Sequence, residues 1–365
     1  MSELRLLLVA DAVGGVWTYS LELARALRPL GVNTTLAVMG PPATERQVEE
    51  AGDIRLIDTG LPLEWLASDA DEVRSSGRAI ANIAAAENVE IIQTSSAALL
   101  ADADIPQHCV AVQHSCVASW WAAVKGTPLP HDFEWRRSMV EAGLRQADAV
   151  IAPSIAFAAE TSRLYGVHAV PVHNGRSALW SRDIPQGDFV FTAGRLWDEG
   201  KNVATLDAAA ARVKVPFQAA GSASGPNGTH IDLKHVEALG HLSDTRIAGL
   251  LAARPIYASA ALYEPFGLSV VEAAQAGCAL VLSDIPTHRE IWGGAAIFVP
   301  PRNDAAFARA IRDLLEDRDE REQLGQLARS RAAHYTPERT ARGMADVYAS
   351  LAPQRTGHVQ LAGAA

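Results

Sequence analysis

The chain has 365 residues, of which 48% are hydrophobic and 20% charged, and that balance excludes a disordered polymer. At roughly 150 residues per domain the length suggests two to three domains, and two is the simpler expectation. With 32 Lys and Arg against 42 Asp and Glu the formal net charge is -10, so the whole-molecule field repels a polyanion. Nucleic acid is therefore not expected as a partner, whereas a local basic pocket for one small anion is compatible with the charge.

Cys109, Cys116 and Cys278 have neither CxxC nor CxxH spacing, so they suggest neither a disulfide framework nor a zinc site. They read as reduced thiols in a cytoplasmic protein. The apolar run Leu4 to Ala10 meets Asp11 too early for a signal peptide, and no stretch approaches the ~20 apolar residues of a membrane span. A peripheral membrane contact through an amphipathic helix stays open.

Short apolar runs alternate with segments of helical period, the pattern of βαβ units and parallel sheets. In the first half, strands are expected at Leu4 to Ala10, Thr34 to Val38, Ile54 to Ile57, Val89 to Gln93, Cys109 to Gln113, Ala149 to Ala152 and Ala169 to Val172. Helices are expected at Ser20 to Leu27, Ala67 to Glu87 and Phe133 to Gln146. A polar, turn-rich stretch from Leu179 to Asp188 reads as a linker. The βα rhythm then resumes with strands at Phe189 to Ala193, Phe217 to Ala220, Val236 to Leu239, Ile256 to Ser259, Ala279 to Leu282 and Ala296 to Val299. Its helices lie near Val203 to Val213, Ser243 to Ala253, Leu268 to Ala276 and Asp304 to Glu316, and the tail from Arg355 lacks periodicity and is expected to be mobile. The fold class is thus α/β, with two doubly wound Rossmann-like parallel-sheet domains facing a cleft, where such folds bind ligands.

Three loops could carry chemistry. In Tyr263-Glu264-Pro265-Phe266-Gly267-Leu268, a glycine precedes a helix whose unpaired N–H groups would face an anion, and Glu264 and Glu272 would flank that anion as acceptors for hydroxyls. From spacing alone, a capping Glu264 and an exposed Glu272 are an equal alternative. In Ala193-Gly194-Arg195 through Lys201-Asn202, the Arg fork and the compact Lys charge can neutralise a diphosphate without a metal. The competing reading is a solvated loop with local Arg-Asp and Lys-Glu pairs. Gly14-Gly15 after the first strand is not the dinucleotide pattern, and it is either a tight turn or a place where a phosphate or sugar approaches the backbone.

Together these segments resemble the retaining GT-B glycosyltransferases of family four, the group 1 glycosyl transferases, over nearly the whole chain. The resemblance takes in Gly14-Gly15, Gly194-Arg195, Lys201, Glu264-x7-Glu272, Ala276-Gly277-Cys278, Ser283-Asp284 and the ending His334-Tyr335-Thr336-Pro337 with Tyr348. It implies that Arg195 and Lys201 hold a donor diphosphate, Glu272 the ribose hydroxyls and Glu264 the sugar hydroxyls. It also implies backbone contacts at Phe266, Gly267 and Leu268, closure by Gly14 and Gly15, base contacts around Gly240-His241-Leu242, and His114 beside the donor sugar. The implied catalytic candidates are Arg195, Lys201, Glu264 and His114, with no metal and no cofactor beyond a UDP-, GDP- or ADP-sugar donor. The acceptor would be a hydroxyl on a glycan, a lipid-linked saccharide or a small molecule, and no oligomeric state is implied.

The implied division is residues 1–180 on the acceptor side, 181–335 on the donor side, 336–352 as a helix crossing back and 353–365 as the tail. Two features depart from the family pattern. The Arg195-to-Lys201 spacing is one residue longer than usual, and Arg176 in Asn174-Gly175-Arg176 stands where an acidic residue is frequent.

Ser119 to Lys125 reads as a loop whose Trp120 and Trp121 either stack on acceptor sugars or pack a helix. Arg136, Arg137 and Arg145 either meet an anionic surface or are solvated. Asp69-Ala70-Asp71 and Asp102-Ala103-Asp104 match the metal motif of the other large glycosyltransferase fold, and they are assigned to solvated loops or helix ends. A nucleotide-sugar epimerase or phosphorylase on the same scaffold, or a non-catalytic sugar-nucleotide binder, are the alternatives to transfer.

Overall fold

The computed structural model describes residues 3–12, 14–179, 184–225 and 228–351. Seven strands form the first sheet: β1 (Leu4–Asp11), β2 (Val32–Met39), β3 (Arg55–Asp58), β4 (Ile91–Thr94), β5 (His108–Val112), β6 (Ala149–Ala152) and β7 (Ala169–Pro171). They run parallel in the order β3-β2-β1-β4-β5-β6-β7. Leu6, Leu7, Leu8 and Val9 are all buried because β1 is central and both of its faces are covered, which is why it reads as an unbroken apolar run.

The second sheet has β8 (Val190–Ala193), β9 (Phe217–Ala220), β10 (Glu237–Ala238), β11 (Ile256–Ser259), β12 (Leu280–Ser283) and β13 (Ile297–Val299). It is also parallel, in the order β10-β9-β8-β11-β12-β13. In each sheet the strand order reverses beside the first strand, between β1 and β4 and between β8 and β11. A crevice opens at the carboxyl ends of such a pair. The Gly14-Gly15 turn leaves β1, the Gly194-Arg195 loop leaves β8, and the Glu264 loop leaves β11.

The last helix, Pro337–Leu351, returns to the first sheet and buries Ala341, Met344 and Tyr348 among residues of β1 and helix Gly15–Leu27. Burying a large side chain of this kind contributes about 1.5 to 3 kcal/mol. The Tyr348 hydroxyl also donates to Gln93 Oε1 inside that core. Among the described residues no helix is long and apolar enough to cross a membrane. The tail from 353 onward and residues 180–183 of the expected linker lie outside the described residues.

Two expectations are corrected. The segment expected to be a loop from Ser119 is the helix Val117–Val124, whose start is capped by Cys116 Sγ accepting from the Ser119 N–H at 3.4 Å. Cysteine is a rare cap, so the usual start signal was missing. The first helix begins at Gly15, five residues before the expected Ser20, with Gly14 at φ 75 as its cap. Helices Glu45–Ala51, Ile155–Tyr165, Pro286–Trp292 and Arg318–Ala332 were not anticipated. The last of these is rich in Arg, Glu and Gln and carries few large apolar side chains to mark its period.

Candidate active site

Two loops of the second domain are bound together before any ligand is considered. Asn202, at φ 53, donates from Nδ2 to Ala260 O at 2.9 Å and to Pro301 O at 2.8 Å. The Leu262 N–H donates to Gly200 O at 2.8 Å. These bonds set the short turn Glu199–Lys201 against the loop leading to Glu264. Gly221 supports the Gly194 loop from the next strand: a Cβ there would stand 1.8 Å from Gly194 O, so no larger residue fits.

Lys201 Nζ pairs with Glu264 Oε2, and both side chains are largely buried. With Gly194 and Ser269 they line one recess. Its far wall is the start of helix Leu268–Gln275, where Gly267 at φ 96 is the cap and no side chain satisfies the first N–H groups. A glycine is required for that backbone conformation, and the uncapped turn carries a partial positive charge toward the recess. The Phe266 ring is turned into the core against Tyr335, at a centroid distance of 5.6 Å, so only its backbone faces the site.

Arg195 stands at the mouth, half-exposed, and donates from Nη2 to Asp198 Oδ2 at 2.9 Å. Asp198 Oδ1 accepts from the Gly200 N–H at 2.8 Å and from Trp120 Nε1 of the first domain at 2.9 Å. Burial would push the Asp198 carboxyl up, but the Arg195 guanidinium and these donors hold it below its ordinary value.

Glu272 lies one turn inside the helix and accepts from Arg176 Nε at 2.7 Å on Oε1. The same guanidinium donates from Nη1 to Glu22 at 2.8 Å and from Nη2 to Asp244 at 2.8 Å. Burial works against the Arg176 charge, yet Glu272 and Asp244 more than offset it and keep the group firmly protonated. Burial also pushes the Glu272 carboxyl up, and Arg176 opposes that shift. Leu242 packs against the apolar core of the second domain, two residues before Asp244.

The first domain supplies the opposite wall. A Cβ on Gly14 would stand 4.0 Å from Arg195 Nη1, and one on Gly15 3.7 Å from Leu268 Cδ1, so the turn after β1 reaches across to the second domain. His114 follows β5 and meets Tyr19 edge-on with ring centroids 4.5 Å apart. Its Nε2 is buried without a protein partner, and burial pulls the imidazole pKa down to about 4.

Further contacts tie the walls together. Ser119 Oγ and Tyr263 Oη are 2.7 Å apart, Lys125 Nζ donates to Glu199 at 2.6 Å, and Glu290 accepts from the Ile155 and Ala156 N–H groups at 2.9 and 2.7 Å.

The structure brings Lys201 and Glu264 to one recess beside the Gly267 start of helix Leu268–Gln275, and it sets Gly14 against Arg195 and Gly15 against Leu268. Glu272 is not the exposed residue that spacing alone left open; it is buried in an ion-pair network. Lys201 pairs with Glu264, not with its neighbour Glu199, which pairs with Lys125. Trp120 bonds Asp198, while Trp121 donates to Thr127 Oγ1 at 3.1 Å and packs on Phe133. Arg136 lies over Trp135 and donates to Ala67 O at 2.6 Å, and Arg137 and Arg145 pair with Glu134 and Glu141 on their own helix. Asp69 caps helix Ala70–Ala86, and Asp102 pairs with Arg74 at 2.9 Å. The local Arg-Asp pair of the competing reading is present as Arg195–Asp198, although Asp198 is buried rather than solvated, and sequence reasoning missed its bond to Trp120 and the roles of Glu22 and Arg176. The one signal for the last was its departure from the expected acidic residue.

Two doubly wound α/β domains with a crevice at the carboxyl ends of their strands define a ligand-binding architecture, and comparison narrows it. A family model described as "Glycosyl transferases group 1" matches residues 230–331, and one described as "Glycosyltransferase Family 4" matches residues 13–176. Between them the two models match parts of both domains, so each half of the chain is similar to a glycosyltransferase family.

Among curated relatives, a glycogen synthase of Mycobacterium tuberculosis is 34% identical over 122 residues, 33% of this chain and 30% of that protein. The D-rhamnosyltransferase WbpZ of Pseudomonas aeruginosa is 32% identical over 106 residues, 28% of each. The match thus spans less than a third of these relatives.

Among solved structures, the sucrose-phosphate synthase of Thermosynechococcus elongatus superposes with a TM-score of 0.76 at 19% identity, covering 95% of this chain and 99% of that one. HepE of Anabaena, solved with UDP-glucose, gives 0.75 at 20% identity, covering 95% and 99%. The fold is GT-B.

Proposed function

We propose that this chain transfers a sugar from a nucleoside-diphosphate donor to an acceptor hydroxyl, with retention of configuration and without a metal. The observation that carries the reading is the gathering of Arg195, Lys201, Glu264 and Glu272 around the uncapped start of helix Leu268–Gln275. Two cations and a helix terminus suit a diphosphate, and the two carboxylates suit hydroxyls on either side of it. Similarity to HepE, whose structures hold UDP and UDP-glucose, supports a donor of that chemistry.

In this reading residues 181–335 hold the donor and residues 1–180 the acceptor, in a cytoplasmic setting. The bond from the anomeric carbon to the diphosphate oxygen breaks, and the acceptor oxygen bonds that carbon from the same face. The acceptor proton passes to the departing phosphate oxygen. Arg195, Lys201 and the helix N–H groups stabilise the negative charge as it develops, where one such donor is worth roughly 2.7 to 4 kcal/mol. Glu264 and the neutral His114 ring hold sugar hydroxyls, and Glu272 holds the ribose.

The test is thermal unfolding with UDP, GDP, ADP and their sugars, because a ligand at about 100 times its Kd stabilises the folded state by roughly 2.7 kcal/mol. One nucleotide class raises the melting temperature, and NMR of the product made from its sugar shows the donor's anomeric configuration. A protein stabilised by none of the six ligands overturns the reading.

A further inference from the structure

Arg176 is buried between the two domains and holds three carboxylates from three different elements. Its guanidinium donates to Glu22 of helix Gly15–Leu27, to Asp244 at the start of helix Asp244–Ala252 and to Glu272 of helix Leu268–Gln275, at 2.7 to 2.8 Å. Its backbone is held as firmly. The Arg176 N–H donates to Tyr335 O at 3.1 Å, and its carbonyl accepts from Gln275 Nε2 at 2.7 Å. At Gly175 a Cβ would stand 2.1 Å from Thr336 C, so this segment lies directly against the chain where it crosses back. Arg176 is therefore held both through its backbone and through its guanidinium.

We infer that Arg176 is a positioning residue for the donor ribose: it fixes Glu272 through Oε1 and leaves Oε2 to accept from a ribose hydroxyl. This rests on the proposed role of Glu272 and extends it to a residue outside the donor-binding loops. The physical need is plain. Three carboxylates in one partly dry site repel one another, and without a cation a buried glutamate either takes up a proton or turns toward water. One guanidinium with three N–H directions in a plane satisfies all three acids at once and sets the angle of the one that faces the donor. Because Glu22 also accepts from Ser177 Oγ at 2.6 Å, the first domain holds that angle from behind. The ribose anchor of one domain is thus aligned by a carboxylate of the other.

The test compares the natural ligand with one that lacks the hydroxyls. Isothermal titration measures whichever of UDP, GDP and ADP the wild type binds best, and its 2',3'-dideoxy analogue. The wild type is expected to favour the natural form by about tenfold or more, the scale of a hydrogen bond to a charged group. In Arg176→Gln that preference falls to within about twofold while the dideoxy form still binds, as it does in Glu272→Gln. Arg176→Lys, which keeps the charge but not the fork, gives an intermediate preference.

In the two Arg176 variants donor KM rises by a larger factor than kcat falls. A preference undiminished in Arg176→Gln overturns the inference. So does parallel loss of both ligands in the Gln and Lys variants, because that is the mark of a merely structural role. A wild type that binds both forms equally overturns the assignment of Glu272 beneath it, and one that binds no nucleoside diphosphate overturns the donor reading itself.

Discussion

Trp120 of the first domain donates its indole N–H to Asp198 of the second across 2.9 Å. The acceptor is the carboxylate that also holds Arg195, so a residue at the mouth of the crevice is positioned partly from the opposite domain. Removing the donor leaves Asp198 with its other partners, Gly200 N–H and Arg195. Trp120→Phe is therefore expected to cost about 1.5 to 3 kcal/mol or less in stability, the range for hydrogen bonds to charged groups. Transfer should fall by about tenfold in kcat/KM, since the bond lost helps hold the carboxylate that positions Arg195. Chemical denaturation and donor kinetics check this together; unchanged kinetics would show that the contact plays no part in positioning Arg195.

Lys201 and Glu264 form a largely buried ion pair at the proposed donor site, so a single substitution perturbs both folding and chemistry. Breaking a buried pair from one side costs about 3 to 5 kcal/mol, because the remaining charge stays in a dry place. Lys201→Met is expected to lose stability on that scale. The double variant Lys201→Met/Glu264→Gln recovers most of the stability and none of the activity. Its kcat remains about 100- to 1000-fold below the wild type, as expected for a lost transition-state cation. Urea unfolding and initial rates on the same three proteins separate the two effects.

Strand positions were legible because each strand is an apolar run between polar turns, and β6, β9 and β11 lie where the pattern placed them to the residue. The crevice residues from the second domain were legible through local chemistry: a glycine, a cation or a carboxylate at the end of a strand. Pairings across the cleft were not. Nothing in the spacing of Trp120 and Asp198, 78 positions apart, joins them, and Arg176 meets Glu22 over 154 positions. Only the closing of the two sheets on each other makes those distances short. The helix Val117–Val124 escaped for a different reason, since its cap is a cysteine and its two adjacent tryptophans look the same in a loop.

Gly175 lies under the backbone of Thr336 and Pro337, with 2.1 to 2.5 Å between a built Cβ and those atoms. The contact is with backbone on both sides, so no side chain can rotate to relieve it. Overpacking of this kind costs about 1 to 3 kcal/mol and sometimes more. Gly175→Ala is expected to lower the melting temperature and to loosen helix Pro337–Leu351 from helix Gly15–Leu27, visible as faster amide exchange around Met344 and Tyr348. A thermal midpoint equal to the wild type would mean that the crossing segment is free to move aside.

His114 ties stability to pH in a direction fixed by its burial. Its imidazole titrates near 4 in the folded protein against about 6.5 when exposed, because the dry site disfavours the charged ring. Between those values the unfolded chain binds a proton that the folded one refuses, so unfolding becomes easier as the pH falls. The stabilisation is complete above 6.5 and is lost on the way down to 4, by about 3 kcal/mol at the lower end. His114→Phe keeps a ring against Tyr19 and removes the titration. Its stability between pH 7 and 4 should therefore fall by about 3 kcal/mol less than that of the wild type. Urea unfolding across that range measures the difference, and nitrogen NMR of the ring shows a neutral imidazole at pH 5.5. A ring already charged there would contradict the burial argument and would make His114 a candidate proton carrier.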